Sequence, residues 1–181
     1  MIAWVDVETT GLEPRGNVLL EVGIILTDDA LNEIDRTSVT ITPPATIRLI
    51  MKPEVLEMHD SGIGNGLLAE CFDKGLERED AMFTLIRWLN DRVEEPPIMA
   101  GSTVDFDRYW LKAKMSLLEQ QFHYRSINVS SLKEINVRWG FADEWNNDRK
   151  THRALDDLED SIAELRHYSA ALNIGPQAVV E

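Results

Sequence analysis

Two carboxylates, Asp6 and Glu8, stand one residue apart inside the apolar stretch "WVDVETTGL" at 4–12. On a β-strand successive side chains face opposite ways, so this pair shares one face, roughly 6–7 Å apart. Like charges held that close in a partly dry place repel and resist ionisation. A divalent cation is the simplest compensator, because it turns the repulsion into ligation. The same pair could also sit at a solvated strand end, ahead of the turn that Gly11 suggests.

Further acids recur in two places. "GSTVDFDRYWL" at 101–111 offers Asp105 and Asp107 where a helix should begin; acids there also cap helices and complement the helix dipole. In "THRALDDLEDSIAEL" at 151–165, Leu155, Leu158, Ile162 and Leu165 follow 3, 4, 3 spacing and mark a buried helix face. Asp157 lies at the border of that face, whereas Asp156 points about 150° from its centre. Asp157 is therefore the acid placed to look inward. His152 precedes the helix in a polar loop, a position that an ordinary surface histidine could also fill.

The elements that must position these residues are legible from periodicity. Residues 2–6, 18–27 and 33–42 read as strands, the second apolar on both faces as in a central strand, with Glu21 interrupting "VLLEVGIIL". The segment 43–80 is irregular and rich in Pro and Gly, apart from a short helix in "PEVLEMHD" started by Pro53. Helices are expected over 77–93, 105–121, 130–139 and 152–172, the last stopped by Gly175 and Pro176, with strands at 96–101 and 122–130 and a polar loop over 140–150. Three strands followed by strands alternating with helices predict an α/β fold with a mixed five-stranded sheet flanked by helices.

Composition narrows the functions available. The 181 residues suit one domain, taken as 1–172 with a tail at 173–181. With 32 Asp+Glu against 18 Lys+Arg, the net charge of −14 argues against gripping long nucleic acid through a basic stripe. It leaves room for a small anionic substrate delivered to bound metal ions. Cys71 is the only cysteine and the four histidines are scattered, so neither a disulfide framework nor a zinc cluster is supported. No apolar run approaches the ~18 residues of a membrane span, and the N-terminus lacks the plan of a signal peptide. A cytoplasmic setting is expected, with no membrane partner.

Taken together, Asp6-x-Glu8 followed by Thr10-Gly11, the Asp-Arg pair of Asp107, and His152-x4-Asp157 resemble the DEDDh 3′–5′ exonucleases, most of all the oligoribonucleases. "FHYRSINVSSLKE" at 122–134 extends the likeness. The resemblance implies an RNase H-like exonuclease fold and two Mg²⁺ or Mn²⁺ ions held by Asp6, Glu8, Asp107 and Asp157. An all-carboxylate set suits such hard cations. It implies His152 as general base toward the attacking water, since an unperturbed imidazole titrates at about 6.5. It further implies substrate contacts by Leu12, which wedges the terminal bases, by His59 and Thr103, and by a cap on the terminal phosphate drawing on Arg125 and Ser130. Tyr124 would reach the partner's site in a homodimer.

The implied reaction is degradation of short single-stranded RNA to nucleoside 5′-monophosphates. Three features depart from the oligoribonuclease pattern: Glu54 replaces an aromatic Trp, Asn128 replaces an Asp, and "ETTGL" is nearer to proofreading-type DNA exonucleases. These bear on substrate length and sugar rather than on the reaction. An exonuclease acting on single-stranded DNA, or on both nucleic acids, is the alternative enzyme. A silent RNase H-like binding module is the non-enzymatic alternative; it gives no reason to retain mutually repelling acids.

Overall fold

The computed structural model describes residues 1–60, 62, 64–146 and 151–175. Its centre is a five-stranded sheet in the order β3-β2-β1-β4-β5. β1 (Ile2–Thr9) pairs antiparallel with β2 (Leu19–Thr27), which pairs antiparallel with β3 (Glu33–Thr40). On the other side β1 runs parallel to β4 (Ile98–Gly101), and β4 parallel to β5 (Ser126–Asn128). The expected mixed sheet is thus present. Every residue of β2 is buried, Glu21 included, in keeping with a central strand apolar on both faces.

The alternation of β1 assigns its two faces. Ala3, Val5 and Val7 pack into a core with α3 (Arg78–Asn90), α4 (Val104–Lys114) and α5 (Ser116–Glu119). Ile2 and Trp4 pack on the opposite side with Val129 of α6 (Val129–Trp139) and with Leu158 and Ile162 of α7 (Ala154–Leu172). A third cluster joins Leu20 to Leu67, Leu68 and Cys71 of α2 (Leu67–Lys74), beyond α1 (Pro53–His59). Among the described residues no helix is long and apolar enough to cross a membrane.

Three expectations change. The strand expected over 122–130 shrinks to Ser126–Asn128, because Arg108 draws the preceding segment into a turn. Its guanidinium donates to the carbonyls of His123 (2.8 Å) and Arg125 (3.4 Å) while paired with Glu119 (2.8 Å). The helix expected over 105–121 breaks at Met115, whose backbone leaves the helical region at φ −138°, ψ 54°. The irregular 43–80 segment contains α2, whose apolar side the surrounding glycines obscured. Residues 61 and 63 of that segment, 147–150 of the polar loop and 176–181 of the tail lie outside the described residues.

Candidate active site

The strand order switches sides at β1: the chain adds β2 and β3 on one side of it, then crosses over to add β4 and β5 on the other. The carboxyl ends of parallel strands at such a switch point form the usual crevice for a ligand. Here Asp6, Glu8, Leu12, Ser102, Thr103, Asp107, His152 and Asp157 line one cavity of about 310 Å³. All five residues expected to do the chemistry therefore face one space. Donor atoms of Glu8, His152 and Asp157 lie within 4.8 Å of one another.

Each acid reaches the cavity for a local reason. Pairing of β1 with β4 covers only Ile2, Ala3 and Trp4, and β4 ends at Gly101. The Val7 amide, beyond that pairing, donates instead to Asp107 Oδ1 at 2.9 Å. That bond holds Asp107 at the end of β1 and distinguishes it from Asp105. Asp107 is buried, whereas Asp105 is exposed and accepts from Asn128 Nδ2 at 3.1 Å. On α7 the helical wheel is borne out, with Asp157 partly buried and Asp156 exposed. Ser161 ties that turn to the β4–α4 corner, its hydroxyl donating to the Asp157 carbonyl (2.9 Å) and lying within hydrogen-bond distance of Ser102 Oγ (3.0 Å).

The acids are poised against ionisation. Burial, then the charges of Asp6, Asp157 and Glu21, push the Glu8 carboxyl up to about 9, with Arg153 opposing. Burial and the neighbouring Asp157 and Glu21 charges raise Asp6. Burial and the Asp6 charge raise Asp107, with the Val7 hydrogen bond opposing. Carboxyls that cannot all ionise together favour a compensating cation among them. The donor set fits a divalent ion.

The residues expected to touch substrate divide into two groups. Leu12 is 77% exposed and also lines a neighbouring cleft of about 840 Å³ with Glu8, Glu54 and His59. Thr103 sits at the cavity wall with φ +55°. Its amide donates to Ser130 Oγ (2.9 Å) and Asn128 Oδ1 (3.2 Å), so Ser130 contacts the cavity wall through Thr103. His59 ends α1, is 1% exposed, and points Nε2 at Glu8 Oε2 from 3.7 Å; its buried Nδ1 lacks a hydrogen-bond partner among the described residues. Burial lowers the affinity of this imidazole for a proton. Tyr124 and Arg125 are exposed, their side chains stacked with the Arg125 guanidinium 5.2 Å from the ring, and neither lines the cavity.

Sequence reasoning missed a second layer. Glu21 of β2 is 2% exposed and stands opposite Glu8 in the strand register. It accepts from Arg153 Nε at 3.0 Å and from a second Arg153 nitrogen at 3.2 Å. Arg153 also pairs with Glu70 of α2 at 3.0 Å. The available signals were an acid in an apolar strand and an arginine beside the motif histidine.

An open mixed sheet with acids and a histidine at its parallel carboxyl ends defines a nuclease of the RNase H-like type. Residues 3–165 match the RNase T-type exonuclease family, and the chain belongs to it. Within it the chain belongs with the oligoribonucleases. That of Streptomyces coelicolor is 38% identical over 176 residues, covering 94% of this chain and 86% of the relative. That of Dichelobacter nodosus is 31% identical over 177 residues, covering 97% and 96%. Among solved structures, the exonuclease I of Methylocaldum szegediense superposes with a TM-score of 0.70 at 17% identity over 93% of this chain. Escherichia coli exonuclease I, solved in complex with a dT13 oligonucleotide, gives 0.67 at 16% identity over 95%. This chain spans 40% and 42% of those longer chains, and the likeness establishes the shared fold.

Proposed function

We propose that this exonuclease removes nucleoside 5′-monophosphates from the 3′ end of short single-stranded RNA, with two Mg²⁺ or Mn²⁺ ions held by Asp6, Glu8, Asp107 and Asp157. The carrying observation is the convergence of those four acids and His152 on one cavity at the strand ends. When bound, such ions neutralise phosphate charge, activate water and stabilise the leaving oxygen.

The chain supplies the rest. His152, at the cavity edge beside Glu8 and Asp157, takes the proton of the attacking water. Leu12 projects into the space where the last two bases must part. The hydroxyl of Thr103, held by Ser130 at 3.1 Å, faces the substrate backbone. His59 holds its Nε2 3.7 Å from Glu8 Oε2 in the wall of the cleft that both residues line. Tyr124 and Arg125, exposed on their own subunit, close the site of a partner in a homodimer. A closed site excludes long strands sterically, and the net charge of −14 repels phosphates left outside it.

Hydrolysis of a 5′-labelled ladder tests this reading, using RNA and DNA from dinucleotides to strands of roughly 24 nucleotides, with Mg²⁺ and with Mn²⁺. Fastest loss of the shortest RNAs is expected. Equal rates on long DNA and dinucleotides by a monomer would replace it with the single-stranded DNA reading.

A further inference from the structure

We infer that Arg153, clamped between Glu21 and Glu70, is a positioning residue for His152, an inference that rests on the reading of His152 as general base. Arg153 occupies the N-cap of α7 in extended conformation, φ −126°, ψ 127°, without a side-chain cap bond. Arginine is an odd choice there: an N-cap side chain should accept from the first turn, and a guanidinium only donates.

The capping acceptor comes instead from the sheet. Glu21 Oε2 accepts the Ala154 amide at 3.3 Å, while Arg153 neutralises the same carboxylate. Ser38 donates its hydroxyl to the other oxygen. A neutralised acceptor at the helix start satisfies an amide that would otherwise lack a partner. Two residues along β2, Gly23 permits the approach: a Cβ there would lie 2.7 Å from Ala154 Cβ. Gly23 and Glu21 stand opposite Asp6 and Glu8 respectively. One strand therefore seats the helix start directly over the two acids of its neighbour.

This seat has a consequence for His152. Its backbone sits at φ +51°, a region that a non-glycine residue holds only when its surroundings over-determine it. The constraint comes from both sides. Asn65 Nδ2 donates to the carbonyls of Thr151 (3.0 Å) and His152, while Arg153 is held to β2 and α2. Releasing Arg153 frees one side, and His152 can relax toward ordinary φ and away from the water it must deprotonate. Arg153 and Glu70 are partly exposed, and ion pairs of this kind contribute little net stability as a rule, which leaves geometry as the clamp's use.

The test compares Arg153→Gln, Arg153→Lys and Glu21→Gln, each made alone and with His152→Ala, in the full chain on a short RNA. Arg153→Gln should lower kcat about 10- to 100-fold, the scale of a misplaced catalytic group. KM should stay within about twofold, because substrate contacts are untouched. Arg153→Lys, which keeps one charged bond to Glu21, should recover most of the loss. With His152→Ala already present, Arg153→Gln should cost less than about twofold, the non-additivity of residues acting through one group.

A second readout does not depend on activity. In imidazole NMR spectra of the metal-free protein, the His152 resonance, assigned by its loss in His152→Ala, should move or broaden in Arg153→Gln. Those of His123 and His167 should stay. Equal losses in both backgrounds, or an unmoved His152 resonance, would reduce the clamp to a structural ion pair and overturn the inference. Full activity of His152→Ala would instead remove the base reading, with the resonance still deciding the clamp.

Discussion

The floor of the site and its rim are built on different terms. On the floor, Glu8 is 8% exposed, Asp107 3% and Glu21 2%, and each is placed by strand register, by a backbone hydrogen bond or by an ion pair. On the rim, Leu12 is 77% exposed and Glu54 is exposed beside it, Glu54 lining two clefts, while Tyr124, 74% exposed, is proposed for the rim of a partner's site. Floor side chains are set by the fold before any substrate arrives, so the chemistry is preorganised. Rim side chains are free to change without disturbing the sheet. Reaction type and substrate choice are thereby separable, and the departures from the oligoribonuclease pattern at Glu54 and Asn128 fall outside the floor.

The comparison breaks first at the floor. Asp6→Asn should lower hydrolysis by about 10⁴-fold or more, since the lost ligand supports several kcal/mol of charge stabilisation. The metal-free variant should melt no lower than the parent, because one repelling charge is gone. Full activity in this variant, or in EDTA, would rule out metal-dependent hydrolysis.

His152→Ala comes next, with turnover down roughly 10²- to 10⁴-fold, the usual worth of a general base. Mn²⁺ affinity measured by calorimetry should hardly change. An affinity that collapses with the rate would make His152 a ligand, a role its 4.8 Å grouping with Glu8 and Asp157 permits.

A milder probe is pH. The folded Glu8 carboxyl is raised from 4.5 to about 9, so between those values the native site keeps a proton that the unfolded chain has released. Its contribution to stability is complete below 4.5 and is lost as pH rises through about 9. In EDTA the melting temperature should therefore fall from pH 6 to pH 8.5, and added Mn²⁺ should raise it more at the higher pH. A melting temperature that climbs over that range would contradict the buried, mutually repelling site.

The rim should respond more gently. Glu54→Trp should tighten dinucleotide binding by roughly 1–3 kcal/mol through base stacking, sharpening the preference for short substrates with little change in melting temperature. Tyr124→Ala should weaken short-RNA cleavage several-fold while leaving metal binding and stability alone. A large loss of stability in either would move that residue from rim to floor.

Much of the floor was legible because its signals are local. Spacing of one residue on a strand put Asp6 and Glu8 on one face, and the 3, 4, 3 apolar pattern on α7 separated Asp157 from Asp156. Where local signals were ambiguous the reading failed. "FHYRSINVS" alternates enough for a strand, and only Arg108, reaching from α4, bends its first half into a turn. The apolar side of α2, with Leu67, Leu68 and Cys71, was hidden among glycines and prolines whose local preference the third core cluster overrides.

The sequence by itself determined the order of the strands, the candidate acids and histidine, and the family, all properties of residue type and short-range spacing. Only the tertiary structure decided that Glu21 faces Glu8, that Gly23 admits Ala154, and that Arg153 ties β2 to α2 across the start of α7. The contacts of Glu21 with Arg153 and Ala154 join residues 132 and 133 positions apart. Strand register and helix approach bring them together, and neither leaves a periodic trace in the chain.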